Sequence, residues 1–87
     1  MGYHITYRKA FKKELRKLKP TVLKAVVRRI LALADEPRPK GCTKLEGSDV
    51  TYRIRQGDYR IIYNIYDDLV VVEVVKIGHR SDVYRKR

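Results

Sequence analysis

Tyr52-Arg53-Ile54-Arg55-Gln56-Gly57-Asp58-Tyr59-Arg60-Ile61-Ile62-Tyr63-Asn64-Ile65-Tyr66 is the stretch whose reading decides the fold. Two runs rich in aromatic and β-branched residues flank Gly57-Asp58, and glycine at the first turn position suits a two-residue type II′ hairpin. Such a turn sets Gln56 opposite Tyr59 and Arg55 opposite Arg60. Alternation then assigns Tyr59, Ile61, Tyr63 and Ile65 to one face, and Arg60, Ile62, Asn64 and Tyr66 to the other. A third run, Leu69 to Ile77, follows the short gap Asp67-Asp68. It adds Val70, Val72 and Val74 to the first face and Val71 and Glu73 to the second.

Upstream, residues 3–7 (Tyr-His-Ile-Thr-Tyr) alternate and favour a short first strand. Phe11, Leu15 and Leu18 recur at i, i+4 and i+7 with Lys and Arg between them, the pattern of an amphipathic helix. Pro20 ends or bends it, and Thr21 can cap the next segment. Val22, Leu23, Val26, Val27, Ile30, Leu31 and Leu33 form the wider apolar stripe of a second helix. The run Asp35-Glu36-Pro37-Arg38-Pro39-Lys40-Gly41 breaks it. Two helices joined by a short connection must lay their stripes on something, and the strands supply it. The predicted fold is α+β in the order β-α-α-β-β-β, a helical hairpin on one face of a small, mostly antiparallel sheet, with residues 1–87 as one domain.

Composition narrows the function classes. Hydrophobic residues at 44% argue for a folded globule rather than a disordered chain. No apolar run approaches the ~20 residues that span a bilayer. The N-terminus lacks a signal-peptide layout and the single cysteine, Cys42, has no internal disulfide partner, so a cytoplasmic protein is expected. Lys and Arg total 21 against 10 acids, a net charge of +11. That excess favours a polyanionic partner, with placement deciding which.

Arg53 and Arg55 are two residues apart and share a strand face, and the turn brings Arg60 across from Arg55. Like charges opposed in a ladder destabilise the sheet, so a sequence selected only to fold has no reason to gather them. Guanidinium forks match phosphate oxygens bidentately. The same pattern also fits a solvated arginine-rich face paired with Glu73 or Asp58. In the tail, Gly78 is expected to bend the chain at the strand end, turning His79, Arg80 and Tyr84 back over the open face. His79 is a candidate acid or base by its ordinary pKa, though a plain surface histidine by frequency. No Asp, His or Cys cluster has ligand spacing, so neither metal nor cofactor is expected.

The segments Lys44-Leu45-Glu46-Gly47, Tyr52 to Tyr63, Gly78-His79-Arg80 and Asp82-Val83-Tyr84 together resemble the RelE/ParE toxin superfamily, most closely its RelE branch. The resemblance runs over essentially the whole chain. It implies a toxin neutralised by a RelB-like antitoxin and acting as a ribosome-dependent endoribonuclease on messenger RNA. It places the family's catalytic basic positions at Arg53, Arg55, Arg60 and Arg80, with Tyr84 at the aromatic position and His79 as an added acid–base candidate. The implied reaction is attack of a 2′-OH on the adjacent phosphate, giving a 2′,3′-cyclic phosphate and a 5′-OH without metal. Some RelE-type members carry lysines where Arg53 and Arg55 stand, and a guanidinium is a poor general base. Lys9, Lys12, Lys13, Arg16 and Lys17 on the first helix, with Lys44, are candidates for ribosome or RNA contact; a solvated helix face is the alternative. Two other functions share the fold: a ParE-like inhibitor of DNA gyrase without nuclease chemistry, and a non-catalytic RNA-binding member.

Overall fold

In the computed structural model, which describes residues 2–79, the Gly57-Asp58 turn forms as its residues dictate. Gly57 has φ of 61°, where a side chain is disfavoured, while Asp58 keeps a negative φ, the type II′ combination. The turn joins β3 (Thr51–Gln56) to β4 (Tyr59–Tyr66), with Gln56 opposite Tyr59 and Arg55 opposite Arg60. Before them come β1 (His4–Tyr7), α1 (Lys9–Leu15), α2 (Pro20–Ala32) and a two-residue β2 (Thr43–Lys44); β5 (Val71–His79) follows. The sheet order is β1-β5-β4-β3-β2, antiparallel except where β1 lies parallel to β5.

β1 and β2 are opposite edges, so the helical hairpin carries the chain across the whole sheet before β3, β4 and β5 return as a meander. That crossing covers one face. Phe11 from α1 and Val26, Ile30 and Leu33 from the α2 segment meet Ile54, Ile61, Tyr63, Ile65, Val72, Val74 and Ile77. Tyr7 and Phe11 stack with centroids 5.6 Å apart, fixing the entry into α1. The long loop after α2 is pinned beneath the sheet. Tyr63 donates its hydroxyl to the Pro37 carbonyl at 2.7 Å. Arg38 grips Asp67 at 2.9 and 3.4 Å and the Tyr52 hydroxyl at 3.1 Å. Hydrogen bonds from Arg38 and then Tyr3 hold the Asp67 carboxyl below its usual range.

Several elements differ from the sequence reading. Pro20 opens α2 instead of ending α1: it is the first helical residue, where its missing N–H costs nothing, and Lys19 rather than Thr21 is the cap. α1 stops at Leu15, because tight bonds from Lys17 to Glu14 and from Leu18 to Leu15 close its last turn. Leu18 still packs on the core from outside the helix. The β4–β5 connection takes Asp67 to Val70, so β5 starts at Val71, and Val70 stands exposed at φ 55° instead of joining the core. Gly78 lies within β5 and does not end it. β2 was not foreseen, since two exposed residues carry no periodic signal.

Candidate nucleic-acid interface

The face without helices is organised in rows by the strand registers. Arg55 pairs with Arg60, and Arg60 with Gly78. The next row runs Thr43, Arg53, Ile62, Lys76 across β2 to β5. The third is Thr51, Asn64, Glu73. Arg53, Arg55 and Arg60 therefore share one face and two neighbouring rows. Arg55 is exposed and Arg53 half-buried, while Arg60 is only 7% exposed. A guanidinium held this deep has its rotamer restricted before any anion arrives, which lowers the ordering cost of binding.

The third row is a continuous polar network. Thr51 Oγ1 donates to Asn64 Oδ1 at 2.6 Å, and Asn64 Nδ2 donates to Glu73 at 3.1 Å and to the Tyr66 hydroxyl at 3.2 Å. Tyr66 reaches Glu73 at 3.3 Å, and Arg8 closes the chain with Nε 3.1 Å from the carboxylate. The Arg8 hydrogen bond is the main reason the Glu73 carboxyl sits below its usual range, with Asn64 and Tyr66 adding to it. Asn64 is buried and, with Ile62, makes this face a packed surface instead of the open one that alternation alone implied. Glu73, an acid that a plain solvated face would pair with these arginines, is held by Arg8, Asn64 and Tyr66.

Other candidates lie elsewhere. His79 pairs with Tyr59 in register and meets its ring edge-on at 5.5 Å. Tyr59 packs against the core, so His79 projects on the helix side of the sheet, away from the arginine rows. The expected fold-back over the open face therefore does not occur at His79, because β5 continues straight through Gly78. Arg80 and Tyr84 lie outside the described residues. Lys44 is opposite Tyr52 and alternates away from Arg53, at the exposed edge. Lys9, Lys12, Lys13, Arg16 and Lys17 are all exposed on the helical layer, and Lys17 is 3.6 Å from Glu14. Among the described residues no group of His, Cys, Asp and Glu is placed to hold a metal ion, and no helix is long and apolar enough to cross a membrane.

The sequence reading missed Lys76. A register irregularity between β4 and β5 sets Tyr63 opposite Val74 but Ile62 opposite Lys76, leaving Val75 as the extra residue of a β-bulge. Past the bulge Ile77 enters the core and Lys76 joins the arginine face. The signal was present as a conflict, since strict alternation from Val72 and Val74 sends a lysine inward and an isoleucine out.

Comparison with known proteins accords with this architecture. Residues 5–84 match the family described as ParE toxin of type II toxin-antitoxin system, parDE. The chain is 32% identical to Toxin RelG of Mycobacterium tuberculosis, over 99% of this chain and 100% of that one. It is 34% identical to the mRNA interferase toxin RelE of Escherichia coli, over 97% and 92%. Among solved structures, RelE in the archaeal RelE–RelB complex from Pyrococcus horikoshii superposes with a TM-score of 0.83 at 30% identity, covering 92% of this chain and 97% of that one. Isolated E. coli RelE gives 0.79 at 32%, covering 94% and 90%. With the helical hairpin, the strand order and the basic face all in place, the chain belongs to the RelE/ParE superfamily of type II toxin–antitoxin toxins, as a RelE-type member.

Proposed function

We propose that this toxin is a ribosome-dependent endoribonuclease that cuts messenger RNA in the cytoplasm and is silenced by a RelB-like antitoxin. The observation that carries this reading is the convergence of Arg53, Arg55 and Arg60 on the helix-free face, with Arg60 buried to 7% exposure. In the reaction the 2′-oxygen forms a bond to the adjacent phosphorus and the bond to the 5′-oxygen breaks. The products are a 2′,3′-cyclic phosphate and a 5′-OH, and no metal is required. Negative charge grows on the phosphorane oxygens, and fixed guanidinium donors stabilise that charge more than the ground state. Arg55 and Arg60 take that role, joined by Arg80 through the family resemblance, while Arg53 positions the RNA. Tyr84, by the same resemblance, stacks on a base or helps move the 2′-OH proton. His79 is left without a part, because it projects from the other side of the sheet.

Arginine explains phosphate recognition well and proton removal poorly. A ribosome that holds the message for in-line attack supplies part of the missing rate through positioning. The exposed cations of α1 and the following turn dock on ribosomal RNA, whose phosphates fix orientation without reading sequence. The antitoxin brings acidic and apolar segments that order on this basic surface.

Induced expression of wild type beside Arg60→Ala, reading growth and messenger 5′ ends together, tests the proposal. Codon-phased cuts that need ribosomes and vanish in Arg60→Ala are expected. Equal toxicity of the two proteins overturns the role of the arginine face, and efficient cutting of naked RNA overturns the ribosome requirement. The matched family's ParE description favours one alternative, gyrase inhibition, for which poisoned DNA without new messenger ends is the signature.

A further inference from the structure

We infer that Lys76 is a fourth phosphate-contacting residue of the arginine face, aimed there by the β-bulge at Val75; the inference rests on the RNA-cutting reading above. The argument starts from strand geometry. In an unbroken β5, residues facing the core continue from Val72 and Val74 to position 76. The bulge interrupts that pattern, so Ile77 lies opposite Ile61 with 5% exposure, and Lys76 lies opposite Ile62 on the exposed side. Bulges commonly re-aim a side chain beside a functional site. Here the re-aimed residue is a cation, and its row already holds Arg53 on the far side of Ile62.

The neighbourhood favours a ligand over solvent. Strands lie about 4.8 Å apart, so Arg53 and Lys76, two strands apart, bracket roughly 10 Å of surface. Between them lies Ile62, only 7% exposed, an apolar floor between the two cations. The adjacent row ends at Gly78, which carries no side chain of its own opposite Arg60. Arg60 thus sits between Arg55 and Gly78, diagonal to Lys76. One phosphate held by the paired arginines leaves the next phosphate of the same strand within reach of a flexible lysine. Among the described residues Lys76 has no hydrogen-bond or ion-pair partner, so nothing need be broken to engage it. β1 stops pairing at Val74, and Lys76 therefore also borders the cleft of about 470 Å³ under α1, which Glu14 lines. A structural ion pair with Glu14 is the competing role.

The experiment measures binding of a short single-stranded RNA against salt for the wild type, Lys76→Gln, Lys76→Arg, Lys24→Gln and Arg60→Ala, with thermal melting of each. Each phosphate contact on single strands contributes about 0.7 to the slope of log K against log salt. Lys76→Gln is expected to lose about one such contact and Lys76→Arg to keep it. Lys24→Gln, which removes the same charge from exposed α2 surface, is expected to leave the slope unchanged. Equal slopes for wild type and Lys76→Gln, while Arg60→Ala falls, overturn the Lys76 assignment alone. Equal losses in Lys76→Gln and Lys24→Gln reduce it to net charge and also overturn it. A lower melting temperature in Lys76→Gln with unchanged RNA binding assigns the residue to Glu14 instead. Wild-type binding without salt dependence overturns the RNA reading and the Lys76 assignment together.

Discussion

Arg55→Thr is expected to make this toxin more stable and less active. Arg55 pairs with Arg60 one position in from the two-residue turn. In such a hairpin the turn-flanking pair exchanges hydrogen bonds, so the next pair is the non-hydrogen-bonded kind, whose side chains approach more closely. Two unit charges about 6 Å apart repel by roughly 0.7 kcal/mol in water-like surroundings, falling to about 0.4 kcal/mol behind the screening of 0.1 M salt. Threonine removes the repulsion and brings a β-branched side chain that suits a strand. For a domain of this length, 0.4–0.7 kcal/mol corresponds to a rise in melting temperature of about 2–5 °C. The assay is thermal unfolding by circular dichroism at about 0.02 M and about 0.5 M salt, where the Debye length shrinks severalfold. The gain of Arg55→Thr over wild type should be larger at low salt, and Lys24→Gln should show little of it. Messenger cleavage should fall in the same variant. A melting temperature unchanged or lowered at low salt, or an advantage indifferent to salt, refutes the argument that this pair is held together against its own repulsion.

Other outcomes follow from the fold. Tyr63→Phe leaves the buried Pro37 carbonyl without its donor and should cost about 1–3 kcal/mol, read as a lower melting temperature with an unchanged circular dichroism spectrum. Burial pushes the Tyr63 hydroxyl above its ordinary value of 10.0, so its contribution is complete below that pH and is lost as pH rises; in an alkaline absorbance titration, Tyr63→Phe should remove a tyrosine that ionises above the ordinary range. Glu73 is the opposite case, a carboxyl lowered by Arg8: its contribution is complete above the ordinary value of 4.5 and disappears as pH falls through the lowered one. Glu73→Gln should therefore flatten the acid limb of the stability profile and leave the neutral-to-basic region parallel to wild type. Deleting Val75 should be tolerated, because Val74, Lys76 and Ile77 then alternate with the same β4 partners as before; a fall in melting temperature beyond about 10 °C speaks against that register.

Most of the architecture was legible because the strongest signals were local. Gly57-Asp58 set a turn type, the turn set a register, and the register put three arginines together. Each step used only neighbouring residues. The elements misread were those decided by tertiary context. Pro20 carries the same sequence meaning at the end of one helix as at the start of the next, and only packing chose the start. Leu69 and Val70 look like strand residues, yet the turn needed their length. The burial of Arg60, Ile62 and Asn64 was invisible because alternation distinguishes faces and cannot say whether the second is covered. His79 was misplaced for a related reason: glycine permits a bend without requiring one, and in β5 it stays extended.

The two faces of the sheet follow different logics. On the helix side every buried group contributes to packing, and the charges are kept outside. On the other face Glu73 is tied to Arg8, Asn64 and Tyr66 at one end, while Arg53 and Lys76 lie in the next row and Arg55 and Arg60 in the one beyond. A surface arranged for stability alone would place Glu73 beside Arg53 or Arg60, where one acid would offset several bases. Tying it instead to Arg8 near the start of α1 braces β1 and β5 against each other. The negative charge of Glu73 is thereby used as structure. The β-bulge extends the same arrangement, because it adds a cation to the arginine rows and returns an isoleucine to the core in a single displacement of the chain.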